Sequence, residues 1–340
     1  MKTLTPKLTL CAIATLSAIS LSSHAALSPS YSFNGNGNWS LDGCGGNSTP
    51  TCSIDAVVPS GSTIEAAFLY STTTPSTSIP TVDFDGTVFS GADWTSLGSN
   101  DASLEAFRVD VTSIVSAAIG SGGPTPFSFD ILNESPSASI DGEALAIVYS
   151  NPAETLRTIS FLDGFSQTTG DSAFISLADP LTAADLADPS FEATLSLGIG
   201  FGFQANNNTQ SSIVNVNGNS LTTCAGGEDD GEAINGGLIT IGGIGDDRAN
   251  NHDCSLANGD DELYSLEPFL NVGDSLITID TSNPSSDDNI FFAGLSITAE
   301  AVIDNKPVDP NPVPEPGTLA LFGVALFATS RRAKSFFTNK

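Results

Sequence analysis

The sequence predicts an all-β protein, an antiparallel β-sandwich or jelly-roll-like body with one or two short helices. Three observations carry that expectation. Residues 191–203 and 291–303 alternate apolar and more polar residues with a period of two, the pattern of a half-buried strand. Asp85-Gly86 and Asn217-Gly218 sit between apolar runs, where such pairs favour two-residue hairpin turns. Long helical periodicity is almost absent from residues 27–305, which favours sheet packed on sheet.

Taken in order, residues 31–51 are rich in Gly, Asn and Ser and read as a loop region around a short edge strand. Ile64, Ala66, Phe68 and Tyr70 alternate as a strand, and Val82, Phe84 and Val88 flank the first hairpin turn. Val111, Ile114, Val115, Ala118 and Ile119 fit one helical face, with Gly120 as the stop. Residues 127–132, 144–149 and 158–165 return to strand. Residues 181–188 suggest a helical turn or two, with Thr182 and Asp185 in capping-box spacing. In the run from Phe191 to Phe203, Gly198, Gly200 and Gly202 share the outer face, which points to bending or to close approach of another backbone. Val214 and Val216 lead into the second hairpin, and residues 237–241 and 275–280 are short strands. Phe291, Ala293, Leu295, Ile297, Ala299, Ala301 and Ile303 close the body on one face.

The two ends differ from the body. Lys2 and Lys7, an apolar core over residues 8–21 and the small residues before Ala26 make residues 1–25 a secretory signal peptide. Pro307, Pro310 and Pro312 make residues 306–313 an extended stalk. The chain carries 29 net negative charges, and residues 26–313 hold only 4 basic residues against 38 acidic ones. Such a surface repels nucleic acid and acidic lipid and attracts cations. Cys44, Cys52, Cys224 and Cys254 remain once the signal peptide is removed, and an even count in an exported chain suggests two disulfides. The pairing expected is Cys44–Cys52 and Cys224–Cys254, since each closes a polar, Gly- and Asn-containing loop. Zinc is disfavoured, because no Cys-x-x-Cys spacing occurs and the body has only His252.

Acidic residues are densest between Glu228 and Asp288. Asp246, Asp247, Asp260, Asp261, Asp287 and Asp288 are the candidate ligands for a calcium ion, which takes six to eight hard oxygens. The competing reading is a solvated acidic loop surface, since no EF-hand loop or nonapeptide repeat is present. Catalysis is poorly supported: His252 is the single histidine available as a base in the body, and no Gly-x-Ser-x-Gly elbow occurs. Carboxylates abundant enough for a glycosidase pair leave a secreted glycoside-active enzyme as one alternative. A lectin-like carbohydrate-binding or calcium-dependent adhesion module is the other, with Trp39 and Trp94, in polar Gly/Ser surroundings, as the candidate sugar-stacking rings.

The tail combines Pro314-Glu315-Pro316, an apolar run over residues 317–330 and the pair Arg331-Arg332. At about 1.5 Å per residue that run forms a short membrane helix, which snorkelling arginines and bilayer thinning accommodate. Arg331, Arg332 and Lys334 place the far end on the cytoplasmic side, with residues 335–340 as a short tail. This order resembles the PEP-CTERM sorting signal. The resemblance implies a Gram-negative host, an exosortase peptidase acting near Pro314-Glu315-Pro316 within residues 314–334, and delivery to the surface or to an exopolysaccharide matrix. Residues 64–70, 106–112, 142–149 and 287–292 also resemble uncharacterised surface β-domains that accompany such tails. The expectation is therefore a non-catalytic exported surface or matrix protein with one β body over residues 27–305.

Overall fold

The computed structural model describes residues 26–46, 50–73, 80–99, 104–134, 140–166, 168–202, 211–226, 239–248, 262–285 and 287–305. The segments read as signal peptide and stalk, the sorting motif and the C-terminal apolar run lie outside them. Among the described residues no helix is long and apolar enough to cross a membrane.

The protein is all-β and its sheets are antiparallel. In chain order the first strands are β1 (Ser28–Gly45), β2 (Thr51–Ala56), β3 (Thr63–Thr73), β4 (Val82–Phe84), β5 (Thr87–Phe89), β6 (Thr95–Ser99) and β7 (Glu105–Asp110). The helix α1 (Thr112–Ile119) follows, then β8 (Phe127–Asn133), β9 (Ile140–Ser150), β10 (Leu156–Asp163), β11 (Ser172–Leu177) and β12 (Ala193–Gly200). The remainder are β13 (Ser212–Val216), β14 (Asn219–Ala225), β15 (Ile239–Ile241), β16 (Leu263–Ser265), β17 (Leu276–Ser282), β18 (Asn289–Ile297) and β19 (Ala301–Asp304).

Residues 28–45 correct the expectation of a loop with a short edge strand, because they form one 18-residue strand. Its first half pairs with β10 up to Asn36, and its second half pairs with β9 from Gly37 onward. One sheet path, β15-β12-β18-β10-β1-β9-β3-β7-β6, thus changes partner in the middle of β1, with β16 attached to β12. The two halves of this path face each other. Phe161 of β10 and Phe291 and Phe292 of β18 share a core with Phe68 and Tyr70 of β3 and Ala144, Ala146 and Val148 of β9. Glycine lets the strand pass this point: a Cβ on Gly37 would lie 2.2 Å from the Tyr149 carbonyl oxygen and 2.8 Å from the Phe33 ring. Separations below about 3 Å are not tolerated without backbone movement.

Each half is covered on its far side. β11, β13, β14, β17 and β19 form a sheet over β10, β12 and β18, and the core between them holds Ile175, Leu195, Leu197, Val214, Ile277, Leu295 and Ile297. β2, β4, β5 and β8, with α1, cover β3, β7 and β9 over Ile54, Phe84, Phe129, Val115 and Ile147. The result is four layers around three cores. Strands of the two inner layers are buried on both faces, as the alternation in β9 shows: Ala144, Ala146 and Val148 face the middle core, while Leu145, Ile147 and Tyr149 face the other.

Both predicted hairpin turns form. Asp85 and Gly86 have φ of 49° and 83°, and Asn217 and Gly218 have 50° and 75°, the doubly positive pattern of a tight hairpin. The helix appears where the 3.6-residue pattern placed it, with Val115 and Ile119 buried and Gly120 at φ 61° ending it. Residues 182–186 make a single turn in which Thr182 and Asp185 exchange capping hydrogen bonds. The glycines of β12 meet close neighbours, as their outer-face position suggested. A Cβ on Gly198 would lie 2.8 Å from the Phe291 ring, and one on Gly200 would lie 2.9 Å from the Thr72 side chain. The closing run 291–303 is not one strand: it bends at residues 298–300, so β18 and β19 join different sheets. A register shift opposite Ile199 also turns Phe291 into the middle core, away from Ala293, Leu295 and Ile297.

Substituting Gly37→Ala should lower stability by about 1–3 kcal/mol, the range for overpacking. Gly218→Ala, with open space around it, should cost only the strain of a positive φ. Urea unfolding of both variants measures the difference.

Candidate functional site

The chemistry-bearing residues fall into four places. The first is the junction of the inner sheet with the outer sheet containing β2. Cys44 at the end of β1 is bonded to Cys52 of β2, with Cα atoms 6.1 Å apart. Glu143 of β9 sits opposite Cys44 in the register and is fully buried. Its Oε1 accepts a hydrogen bond from the Ser71 hydroxyl at 3.1 Å. Burial, reinforced by the neighbouring Asp141 carboxylate, pushes its pKa up to about 8. Asp42 lies on the same strand end, where burial raises its pKa to about 6 against the pull of the Asp55 and Gly43 amides. Cys44, Cys52 and Glu143 come within 4.8 Å of one another, but the two sulfurs are joined, so they offer no thiolates to a metal. Cys224 is disulfide-bonded as well, and Cys254 lies outside the described residues.

The second place is the meeting of strand ends around Phe201, Glu262 and Asp288. These three take φ of 61°, 54° and 50°. Asp288 is fully buried at the start of β18, and its amide donates to the Phe201 carbonyl at 3.4 Å. The Phe201 amide donates to Asp141 at 3.0 Å, and Glu262 accepts from the Tyr264 hydroxyl at 2.9 Å and from the Gly226 amide. Of the candidate calcium ligands, Asp246 accepts from the Gly243 amide at 2.6 Å and closes a turn, Asp247 is exposed, and Asp287 is half-buried with its pKa raised by burial. Asp260 and Asp261 lie outside the described residues. Among the described residues, the structure does not gather the predicted aspartates into a three-carboxylate set within 4.8 Å.

The third place is the set of ion pairs. Arg108 reaches across the middle core to Asp163 of β10, which also accepts from the Tyr70 hydroxyl at 3.3 Å. The same guanidinium lies 5.1 Å from the centre of the Phe68 ring, a cation–π distance. Arg157 pairs with Glu192 at 3.3 Å, and Arg248 with Glu192 at 3.4 Å and Glu267 at 2.6 Å. All three arginines of the described residues are thereby paired with carboxylates, Arg157 buried and Arg108 and Arg248 partly exposed.

The fourth is the pair of tryptophans, where the structure corrects the expectation of exposed rings. Trp94 is only 7% exposed and packs edge-on to Phe89 beneath the outer sheet. Trp39 is half-buried and stacks on Phe161 at 6.4 Å. Polar flanking residues misled because each ring sits at the border of a core. Sequence reading also missed Asp141, Glu143 and Glu262 as buried acids. The signal available was Asp141-Gly142-Glu143 embedded in an otherwise apolar strand.

The body begins and ends at one point: the Asn305 side-chain amide donates to the Leu27 carbonyl at 3.3 Å. Beyond it, residues 312–334 match the PEP-CTERM protein-sorting motif. The chain therefore carries the signal of an exosortase-sorted exported protein, anchored to the membrane before processing. The body matches no other family, and no curated protein matches the chain.

The junction makes a pH prediction. A carboxyl whose folded pKa lies above its unfolded value contributes stability that is complete below the unfolded value and lost as pH rises through the folded one. For Glu143 that loss spans 4.5 to about 8, and for Asp42 it spans 3.8 to about 6. The body should be more stable at about pH 5 than at about pH 9. Denaturant unfolding of Glu143→Gln should show a smaller drop over that interval, and an unchanged drop would refute the assignment.

Proposed function

We propose that this chain is a non-catalytic protein of the cell surface or extracellular polysaccharide matrix, delivered by an exosortase. The observation that carries the reading is the sorting motif at residues 312–334. In this account residues 1–25 direct export and are removed. Residues 317–330 hold the precursor in the inner membrane, with Arg331 and Arg332 on the cytoplasmic side. The exosortase cuts near Pro314-Glu315-Pro316, and residues 306–313 space the body from the membrane until then.

The body's geometry supports this role. Its two ends meet at Leu27 and Asn305, so both signals attach to the body at one site. Disulfide chemistry at Cys44–Cys52 suits an oxidising exterior. A strongly acidic body whose described arginines are all paired with carboxylates favours solubility and discourages nucleic-acid or acidic-lipid partners.

Fractionation of cells with and without the exosortase tests the proposal. The full chain should leave the membrane fraction only where the exosortase is present. A variant ending at Val313 should be released in both backgrounds. Equal release of the full chain in both would overturn the sorting role.

A further inference from the structure

The junction of β1, β2 and β9 brings a disulfide and a buried acid together. A carboxylate oxygen of Glu143 and the sulfurs of Cys44 and Cys52 all lie within 4.8 Å of one another. Cys44 and Glu143 stand opposite each other in the β1–β9 register, and both are buried. Cys52 shares a face of β2 with Ile54 and Ala56, but near the start of the strand it is half-buried where they are fully buried. The Glu143 carboxyl is engaged on one side. Its Oε1 accepts from the Ser71 hydroxyl at 3.1 Å, while Oε2 is buried and makes no hydrogen bond. A buried carboxyl with an unsatisfied oxygen is costly, and a disulfide needs no acid beside it to hold two strands together.

We propose that Cys44–Cys52 is an exchange site for small thiols, with Glu143 as the acid that protonates Cys44 as it leaves. A thiolate attacks the sulfur of Cys52, the less buried of the pair. The incoming sulfur bonds to Cys52, the Cys44–Cys52 bond breaks, and its electron pair goes to Cys44. The Glu143 proton passes to that sulfur, leaving Cys44 as a thiol and Glu143 as a carboxylate. A second thiolate attacking the mixed disulfide releases Cys52 as a thiolate and departs as a small oxidised disulfide. The step is stoichiometric, one protein disulfide consumed per chain, so it adds an activity to a protein read as non-catalytic. Small thiols suit a half-buried sulfur, and neutral ones avoid repulsion by the acidic body. The acid matters because burial raises a thiol's pKa, which makes Cys44 a poor leaving group unless it is protonated. Burial and the Asp141 carboxylate keep Glu143 protonated up to about pH 8. Asp42 of β1 and Asp55 of β2 are the other acids here, and Asp42, with a pKa of about 6, is ionised throughout the range that tests the step.

The purified exported protein is treated with 2-mercaptoethanol between about pH 7 and about pH 9.5, and each rate is divided by the thiolate present. The rate per thiolate should fall by about tenfold or more across that range, centred near the Glu143 pKa of about 8. Glu143→Gln should flatten the profile and cross the wild type: slower near neutrality, where the acid is missing, and faster at high pH, where no carboxylate repels the thiolates. Ser71→Ala keeps the carboxyl but removes a bond that favours its ionised form, so the fall should move to higher pH. Circular dichroism checks that both variants are folded. Trapping with iodoacetamide and peptide mass spectrometry should find the adduct on Cys52 and the alkyl group on Cys44. A flat wild-type profile, a Glu143→Gln protein that is faster at every pH as a merely loosened structure would be, or the adduct on Cys44 would each overturn the proposal.

Discussion

The structure depends on one strand serving two sheets. β1 gives its first nine residues to β10 and its last nine to β9, and the change of partner needs residues with no side chain. Gly37 sits where a Cβ would collide with the Tyr149 carbonyl, and Gly35 sits under the Phe33 ring, 3.1 Å from where its Cβ would be. With the turn made, the sheet faces itself, Phe161, Phe291 and Phe292 fill the gap, and each outer surface still has apolar side chains to cover. The four layers follow. Arg108 and Asp163 then tie β7 to β10 across the middle, though they lie four strands apart along the sheet path.

Charge is distributed unevenly by the same architecture. Each arginine of the described residues is paired with a carboxylate, while most of the described acids are exposed or half-buried. Desolvating a carboxylate without a cation is expensive, which is why burial pushes the Glu143 pKa up to about 8. The consequence for function is a body whose described surface is dominated by carboxylates, its arginines being held in pairs.

Much of this was legible. Asp85-Gly86 and Asn217-Gly218 gave their turns because positive φ at both positions has few chemical solutions. The glycines of β12 announced close neighbours. β1 was hidden for the same reason it matters: of the alternating positions Tyr31, Phe33, Gly35, Gly37, Trp39 and Leu41, two are glycine, and strand propensity penalises the residue that the bend requires. The break between β18 and β19 was hidden because both strands present their apolar side chains to one core, so the period of two passes through the bend. The burial of Trp94 and Glu143 had no local mark, because it is decided by strands distant in sequence. Of the candidate site, the sorting tail was fully legible, since its signal is local, whereas the meeting of Asp141, Phe201, Gly226 and Glu262 joins residues far apart in the chain and has no local signature.

The account stands or falls on whether the tail is removed on export. Intact-mass spectrometry of the protein recovered outside the cell tests this most directly. The account predicts a chain that begins at Ala26 or Leu27 and ends near Pro314-Glu315-Pro316. Recovery of a chain continuing through Arg331-Arg332 to Lys340 would contradict it.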